Sequence, residues 1–295
     1  MSATTMTRTA SVAAPRRSRP GGWSAARRFV LPVVGLLVAL AFVWPFLVML
    51  LDALRTSDDV VTTPTSYLPR HWQFSTFSEV FSDPRFRDWL RTSIVVAGAS
   101  TAIVLVVSVP AAYFTARFRF RGRTAFLLLV LITQMFSPTS LVVGIYREFF
   151  EANLVNTYLA IILTNAAFNL AFAIWILQGF FSSIPTEVEE AAELDGCSRV
   201  GTLLRVMLPL TLPGLVTAVV FTFIAAWNEY VVALTLMQDD AKKPLTVGIS
   251  SYVTGYEQHW NQLFAASLIA IVPVVVLFAV IERHLVGGLT AGSVK

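Results

Sequence analysis

The sequence predicts an all-α integral membrane protein that crosses the bilayer six times. Three observations carry that reading. The 295 residues are 56% hydrophobic and only 14% charged, with a mean hydropathy of +0.68, whereas soluble domains run at about 45–50% apolar and about 25% charged. Six stretches are apolar enough to cross roughly 30 Å of hydrocarbon, which takes about 20 helical residues. They are Phe29–Leu51, Thr92–Phe114, Ala125–Ile145, Thr157–Phe181, Gly214–Leu236 and Phe264–Val286. Nothing alternates with period two in segments of about ten, as a membrane barrel requires, so helix is the spanning state.

The first span mimics a secretory signal, because Arg8, Arg16, Arg17, Arg19, Arg27 and Arg28 precede an apolar run. At Phe29–Leu51 that run exceeds the about 7–15 residues of a signal core, and the cleavage-like Ala39-Leu40-Ala41 lies inside it. It reads as an uncleaved span. The net charge of +4 could suggest nucleic acid, but the Arg residues sit in the tail and short loops, where membrane orientation uses them. The tail and the loop Thr115–Thr124, with Arg117, Arg119, Arg121 and Arg123, are the basic connections, so both termini are expected in the cytoplasm. Residues 1–28 read as a disordered basic tail, 29–286 as the transmembrane domain and 287–295 as a cytoplasmic tail. Segments 52–91 and 238–263 are expected outside, and 182–213 inside. The lone Cys197 has no second thiol for a disulfide or metal site.

The cytoplasmic segment carries most of the functional information. Thr186 is placed as an N-cap, with Glu189 three residues on to complete a capping box. Glu187, Glu189 and Glu190 crowd the first turn, where the helix dipole favours anions. Gly196 ends that helix, Ser198 caps a second, and Leu208-Pro209 closes it. A short helix, a glycine turn and another helix make a stiff projection suited to docking on a soluble partner.

The same residues resemble the coupling loop of binding-protein-dependent ABC importers. Glu190-Ala191-Ala192 is followed after three residues, Asp195 the last, by Gly196; after nine intervening residues comes Val206-x-Leu208-Pro209. Val206 stands where the family pattern has Ile. Ala226-Trp227-Asn228-Glu229-Tyr230 and the ending Gly287 to Lys295, with Gly288, Thr290, Ala291 and Gly292, resemble the shorter permease subunit of maltose- and trehalose-type sugar importers. The resemblance implies the type I ABC importer permease fold in a bacterial inner membrane, translocating a disaccharide or oligosaccharide. It implies four kinds of partner: a second permease in a heterodimer, two cytoplasmic ATPase subunits, an extracytoplasmic binding protein and the lipid membrane. The first short helix would dock on the ATPase, and the tail after Gly287 would contact the same subunit.

The chain has no Gly-Lys dipeptide and hence no P-loop, so ATP and Mg would be used by the partners and no cofactor is expected here. Polar residues within spans are candidates for a substrate path: Gln134, Asn169, Asn228 and Glu229, with Asn165 on the face of Asn169. Amides donate and accept, which suits sugar hydroxyls, and equally suits bonds between helices. Glu229 has no basic residue within any span to pair with. Pro138 and Pro273 are expected to kink their helices, as packing features. An intramembrane enzyme is disfavoured, since His71, His259 and His284 lie outside span interiors and no His-Glu-x-x-His motif occurs. An ion-coupled transporter using Glu229 is the better rival, as is an ABC permease for another small solute.

Overall fold

A computed structural model describes residues 23–61, 68–253 and 258–290, with side chains from Val30 to Ile281 within those ranges. The expected tail therefore lies outside the described residues up to Gly22, and the helix expected from Phe29 already runs from Trp23. The chain divides into two compact units, Met1–Leu47 and Val48–Lys295.

In the first unit, α1 (Trp23–Ala53, which continues into the second) runs through Pro32 and Pro45 without interruption. From Val30 to Leu47 its side chains are uncharged and exposed, which makes lipid the solvent that suits them.

Among its described residues the second unit consists of helices joined by turns and loops, with one isolated bridge between Val253 and Gln258. Two short helices, α2 (Ser57–Val61) and α3 (Ser75–Ser82), lead into α4 (Pro84–Arg117), a 34-residue rod. Asp83 starts α4 by accepting from the Arg85 amide, with Pro84 at the first position, where its missing N–H costs nothing. After α5 (Arg123–Thr133) and α6 (Pro138–Glu151), α7 (Tyr158–Ser183) returns alongside α4. The Ser100 hydroxyl donates to the Ile162 carbonyl across that seam. Next come α8 (Glu187–Leu194), α9 (Arg199–Thr202), α10 (Leu208–Leu210), α11 (Leu212–Trp227), α12 (Val231–Leu236), α13 (Leu245–Ser250) and α14 (Trp260–Thr290). α14 continues as helix through Pro273.

Among the described residues, four helices are long and apolar enough to cross a membrane by themselves: Val30–Ala53, Pro84–Arg117, Tyr158–Ser183 and Trp260–Ile281. The third and fifth expected spans are not straight rods. α5 and α6 meet at 95°, and the fifth span is interrupted at 228–230, between α11 and α12; just ahead of that span the stretch Arg199–Leu210 meets α11 at 80°. The first break follows from Pro138, which pushes Ser137 into an extended conformation (ψ 132°) and restarts the helix from its own first position. The kink expected there is thus a full break. At the 80° bend, Pro209 and Pro213 each remove a helix donor, and the chain turns at Thr211 between them. The 16 residues of α11 rise only about 24 Å, so a full crossing needs α12 as well.

Three buried clusters hold the second unit together. One gathers Phe86, Trp89, Leu245, Tyr252, Ala265 and Ala266. A second joins Val96, Ile161, Val232, Leu236 and Met237, and a third, at the Arg117 end of α4, joins Val104, Ala112, Leu177, Phe181 and Met207. Trp89 is the largest fully enclosed side chain among the described residues. Its indole N–H donates to the Asp240 carbonyl at 2.8 Å, and its ring meets Tyr252 edge-on at 5.8 Å. Burial pushes the Tyr252 hydroxyl up to about 12, so this ring stays neutral in the cluster at ordinary pH. The indole lies against Gly248, where an added Cβ would stand 2.1 Å from the ring. Gly248→Ala should therefore cost about 1–3 kcal/mol by overpacking, measured as a lower thermal unfolding midpoint in detergent. Gly98→Ala, whose Cβ would meet nothing within 4 Å, should not lower it.

Candidate functional site

Two regions carry the residues singled out from the sequence. The first is the projection between α7 and α11. Helix α8 ends at Asp195, and Gly196 follows at φ +84°, a left-handed conformation that an L side chain resists. The Ser198 hydroxyl then accepts from the Gly201 amide at 3.2 Å and starts the next helix. That helix contains a π turn, Leu203–Met207, in which the Leu208 amide bonds back to the Leu203 carbonyl. Pro209, the next residue, has no amide to offer the Arg205 carbonyl, which accounts for the shift in register. Val206, Leu208 and Pro209 all sit at this irregular joint, which bends at Thr211 rather than at Pro209 as expected.

The capping box does not form. Thr186 is itself helical (φ −67°, ψ −27°) and its side chain caps nothing. The carboxylate of Glu189 is engaged elsewhere: it accepts from Arg117 Nε and, at 3.2 Å, from the Tyr113 hydroxyl, both at the end of α4. A charge-assisted pair out of water outweighs one more exposed cap. The faces of α8 divide accordingly. Glu187, Glu190, Ala191 and Leu194 are exposed along one side at helical spacing, with Leu194 89% exposed. Glu189 and the buried Ala192 turn the other way.

The second region is a cavity of about 380 Å³ where the two broken spans meet α7. The α5–α6 break contributes Gln134 and Ser137, α7 contributes Thr164, Asn165 and Asn169, and the α11–α12 break contributes Glu229. Three of the four expected path residues are thus brought together, while Asn228 caps α11 from an exposed position away from the lining. Gln134 donates to the Phe168 carbonyl at 3.0 Å and Asn169 to the Asn165 carbonyl at 2.8 Å, so each commits a donor to span backbone. Asn165, 5% exposed, keeps a buried Nδ2 without a hydrogen-bond partner among the described residues.

Glu229 does not wait for a basic partner. Its Oε1 accepts from the Val232 amide at 2.7 Å and its Oε2 from the Ala233 amide at 2.9 Å, capping α12 with both carboxylate oxygens. Thr246 donates to the Glu229 carbonyl at 2.7 Å, so the freed backbone is paired as well. The helix N-terminus supplies the positive potential that no side chain provides. Asn156, left-handed at φ 63°, accepts from the Gln238 and Asp239 amides and pins the chain beyond α12.

Gly288 and Thr290 fall in the last turns of α14, where side chains are not described, and Ala291 and Gly292 lie outside the described residues. No group of three His, Cys, Asp or Glu able to hold a metal occurs among the described residues. Sequence reasoning missed Arg117 and Tyr113 as partners of the loop. Their contacts with Glu189 span more than 70 residues of chain, beyond any local pattern.

Bent apolar helices enclosing a polar cavity, with a stiff elbow between two of them, define a membrane transport protein. Residues 108–290 match the family described as the inner membrane component of binding-protein-dependent transport systems, and the chain belongs to that family. It is 34% identical over 252 residues to the sulfoquinovosyl glycerol transport system permease protein of Agrobacterium fabrum, covering 85% of this chain and 88% of that one. It is 33% identical over 273 residues to the trehalose/maltose transport system permease protein of Thermococcus litoralis, covering 91% and 97%. The diacetylchitobiose uptake system permease protein of Streptomyces coelicolor is 30% identical over 263 residues, covering 89% and 95%. The fold is that of a type I ABC importer permease. It superposes with a TM-score of 0.76 on a chain of a bacterial ABC transporter involved in alginate import, at 23% identity, covering 90% of this chain and 98% of that one.

The α12 cap generates a prediction. Glu229→Ala removes both acceptors and should lower stability by about 1–2 kcal/mol, seen as earlier thermal unfolding of the purified protein. Glu229→Gln keeps one acceptor oxygen and should cost less. Equal unfolding midpoints for all three proteins would show that the cap contributes nothing.

Proposed function

We propose that this chain is the shorter of two permease subunits in an ATP-driven importer of a disaccharide or oligosaccharide. The observation that carries the reading is the elbow from α8 to α10. It sets Glu190, Ala191 and Ala192 on a short helix, Asp195 and Gly196 at a left-handed turn, and Val206, Leu208 and Pro209 at a π-bulged joint. Its exposed stripe of Glu187, Glu190, Ala191 and Leu194 suits a groove on a cytoplasmic ATPase. The C-terminal Gly288, Thr290, Ala291 and Gly292 would lie against that same subunit.

The sugar is inferred from the relatives, whose names specify sulfoquinovosyl glycerol, trehalose or maltose, and diacetylchitobiose. The cavity fits that inference. Its amide and hydroxyl lining can both donate and accept, and the one carboxylate in it is committed to backbone amides. The latter point speaks against the ion-coupled rival, which needs Glu229 free to exchange an ion. Gln134, Asn169 and Glu229 are assigned to the path with Asn165; Asn228, expected there as well, does not line the cavity.

In the working cycle α5 with α6, and α11 with α12, each count as one crossing, giving six spans with both termini in the cytoplasm. A second permease completes the cavity, two ATPase subunits bind and hydrolyse Mg-ATP, and an extracytoplasmic binding protein delivers the sugar. ATP closes the ATPase pair and carries the α8 elbow with it; the permeases then open outward, and hydrolysis resets them.

Gly196→Val forces a β-branched side chain into φ +84° and should reduce ATP-dependent uptake at least ten-fold while the protein still inserts. Near-normal uptake by this variant would remove the lever. In vesicles supplied with ATP, uptake should persist when a protonophore collapses the proton gradient; its arrest would favour ion coupling. Ligand analysis of the cognate binding protein would separate a sugar from another small solute.

A further inference from the structure

We propose that Glu189 and Arg117 form the strut through which motion of the α8 elbow enters the membrane-spanning helices. This rests on the permease reading above and adds two positioning residues to it. Arg117 is the last residue of α4, and its side chain is only 8% exposed; that of Glu189 is 15% exposed. Among the described residues each forms its ion pair with the other alone, and the Tyr113 hydroxyl adds a second bond to the same carboxylate. Breaking one partner of such a pair leaves an uncompensated charge out of water, so α8 and α4 move together more readily than apart.

The connection continues inward. Tyr113 meets Phe181 of α7 edge-on at 5.7 Å, and further along the same seam Ser100 donates to the Ile162 carbonyl. α7 in turn supplies Thr164, Asn165 and Asn169 to the cavity. Glu190, one residue beyond Glu189, faces away from this contact and is free for an external partner. Adjacent carboxylates thus divide the work, one toward the ATPase and one toward α4. A contiguous chain of packed and bonded groups is the physical basis for such coupling.

Cys197 is the single cysteine, so Cys197→Ser gives a background in which Ser137→Cys reports on the cavity lining. The complex with its second permease and ATPase subunits is assembled in nanodiscs. Labelling of the introduced thiol by a membrane-impermeant reagent is then compared with and without Mg-ATP, which requires no sugar. The parent complex should change its labelling rate at least five-fold on adding Mg-ATP. Glu189→Gln and Arg117→Gln should each reduce that response to less than two-fold while the ATPase subunits still co-purify. The exchanged pair, Glu189→Arg with Arg117→Glu, should restore much of it. An undiminished response in the single variants overturns the strut. Loss of the ATPase subunits from Glu189→Gln also overturns it, by moving Glu189 to the docking face. A parent complex that holds no ATPase, or whose labelling ignores Mg-ATP, sinks the permease reading itself and the strut with it.

Discussion

A chain that breaks its helix within hydrocarbon must find new partners for every freed amide and carbonyl, because lipid supplies none. This constraint shapes the middle of the protein. At the α11–α12 break the Val232 and Ala233 amides are taken by the Glu229 carboxylate, and the Glu229 carbonyl by Thr246. At the α5–α6 break the Gln134, Met135 and Phe136 amides close tight three-residue turns, and the Gln134 side chain crosses to the Phe168 carbonyl. Both repairs use polar groups, and both line the same cavity. The polar lining of the cavity and the mending of the broken backbone are therefore one structure, which explains why a carboxylate can stand there without a basic residue in the lining.

The apolar content and the helical class were legible because they depend on composition and on runs of about twenty residues. The elbow was legible for a different reason: Gly196 and Ser198 act on neighbours within three residues, and local chemistry of that kind is written locally. What the sequence concealed were outcomes decided by tertiary competition. Thr186 and Glu189 form a sound capping box as a pattern, yet Arg117 and Tyr113 offer the Glu189 carboxylate a better site. Asn228-Glu229-Tyr230 reads as polar residues within a span, whereas in the fold it ends one helix and begins another. A hydropathy run cannot distinguish a straight rod from two halves, since both bury the same side chains. Pro138 was the visible hint at the α5–α6 break, and its effect exceeded a kink because the Gln134, Met135 and Phe136 amides find partners within the turn.

The neighbouring carboxylates of α8 meet two different surroundings on a helix of eight residues. Successive residues on a helix point about 100° apart, so Glu189 and Glu190 necessarily address different surroundings. The inward one is neutralised by Arg117 at the end of a 34-residue rod, and the outward one remains solvated. An elbow that only docked would need the outward face alone. An elbow that also drove the bundle would need a stiff joint to it, and a partly buried ion pair reinforced by a tyrosine supplies one, because separating it leaves a charge buried without its partner.

The same reasoning bears on where the bundle can yield. α4 and α7 are continuous, bonded to each other and buried along their seam, so they are suited to move as one body. α5, α6, α11 and α12 are short pieces that meet at breaks, and the ends of those pieces are held by tight turns and single side chains rather than by a continuous helical ladder. Rotation about a break changes few backbone bonds, whereas bending α4 would strain many. Motion delivered at Arg117 is therefore expected to travel undiminished along the α4–α7 body and to be expressed at Gln134 and Glu229, where the cavity walls are hinged and where a polar solute would have to pass.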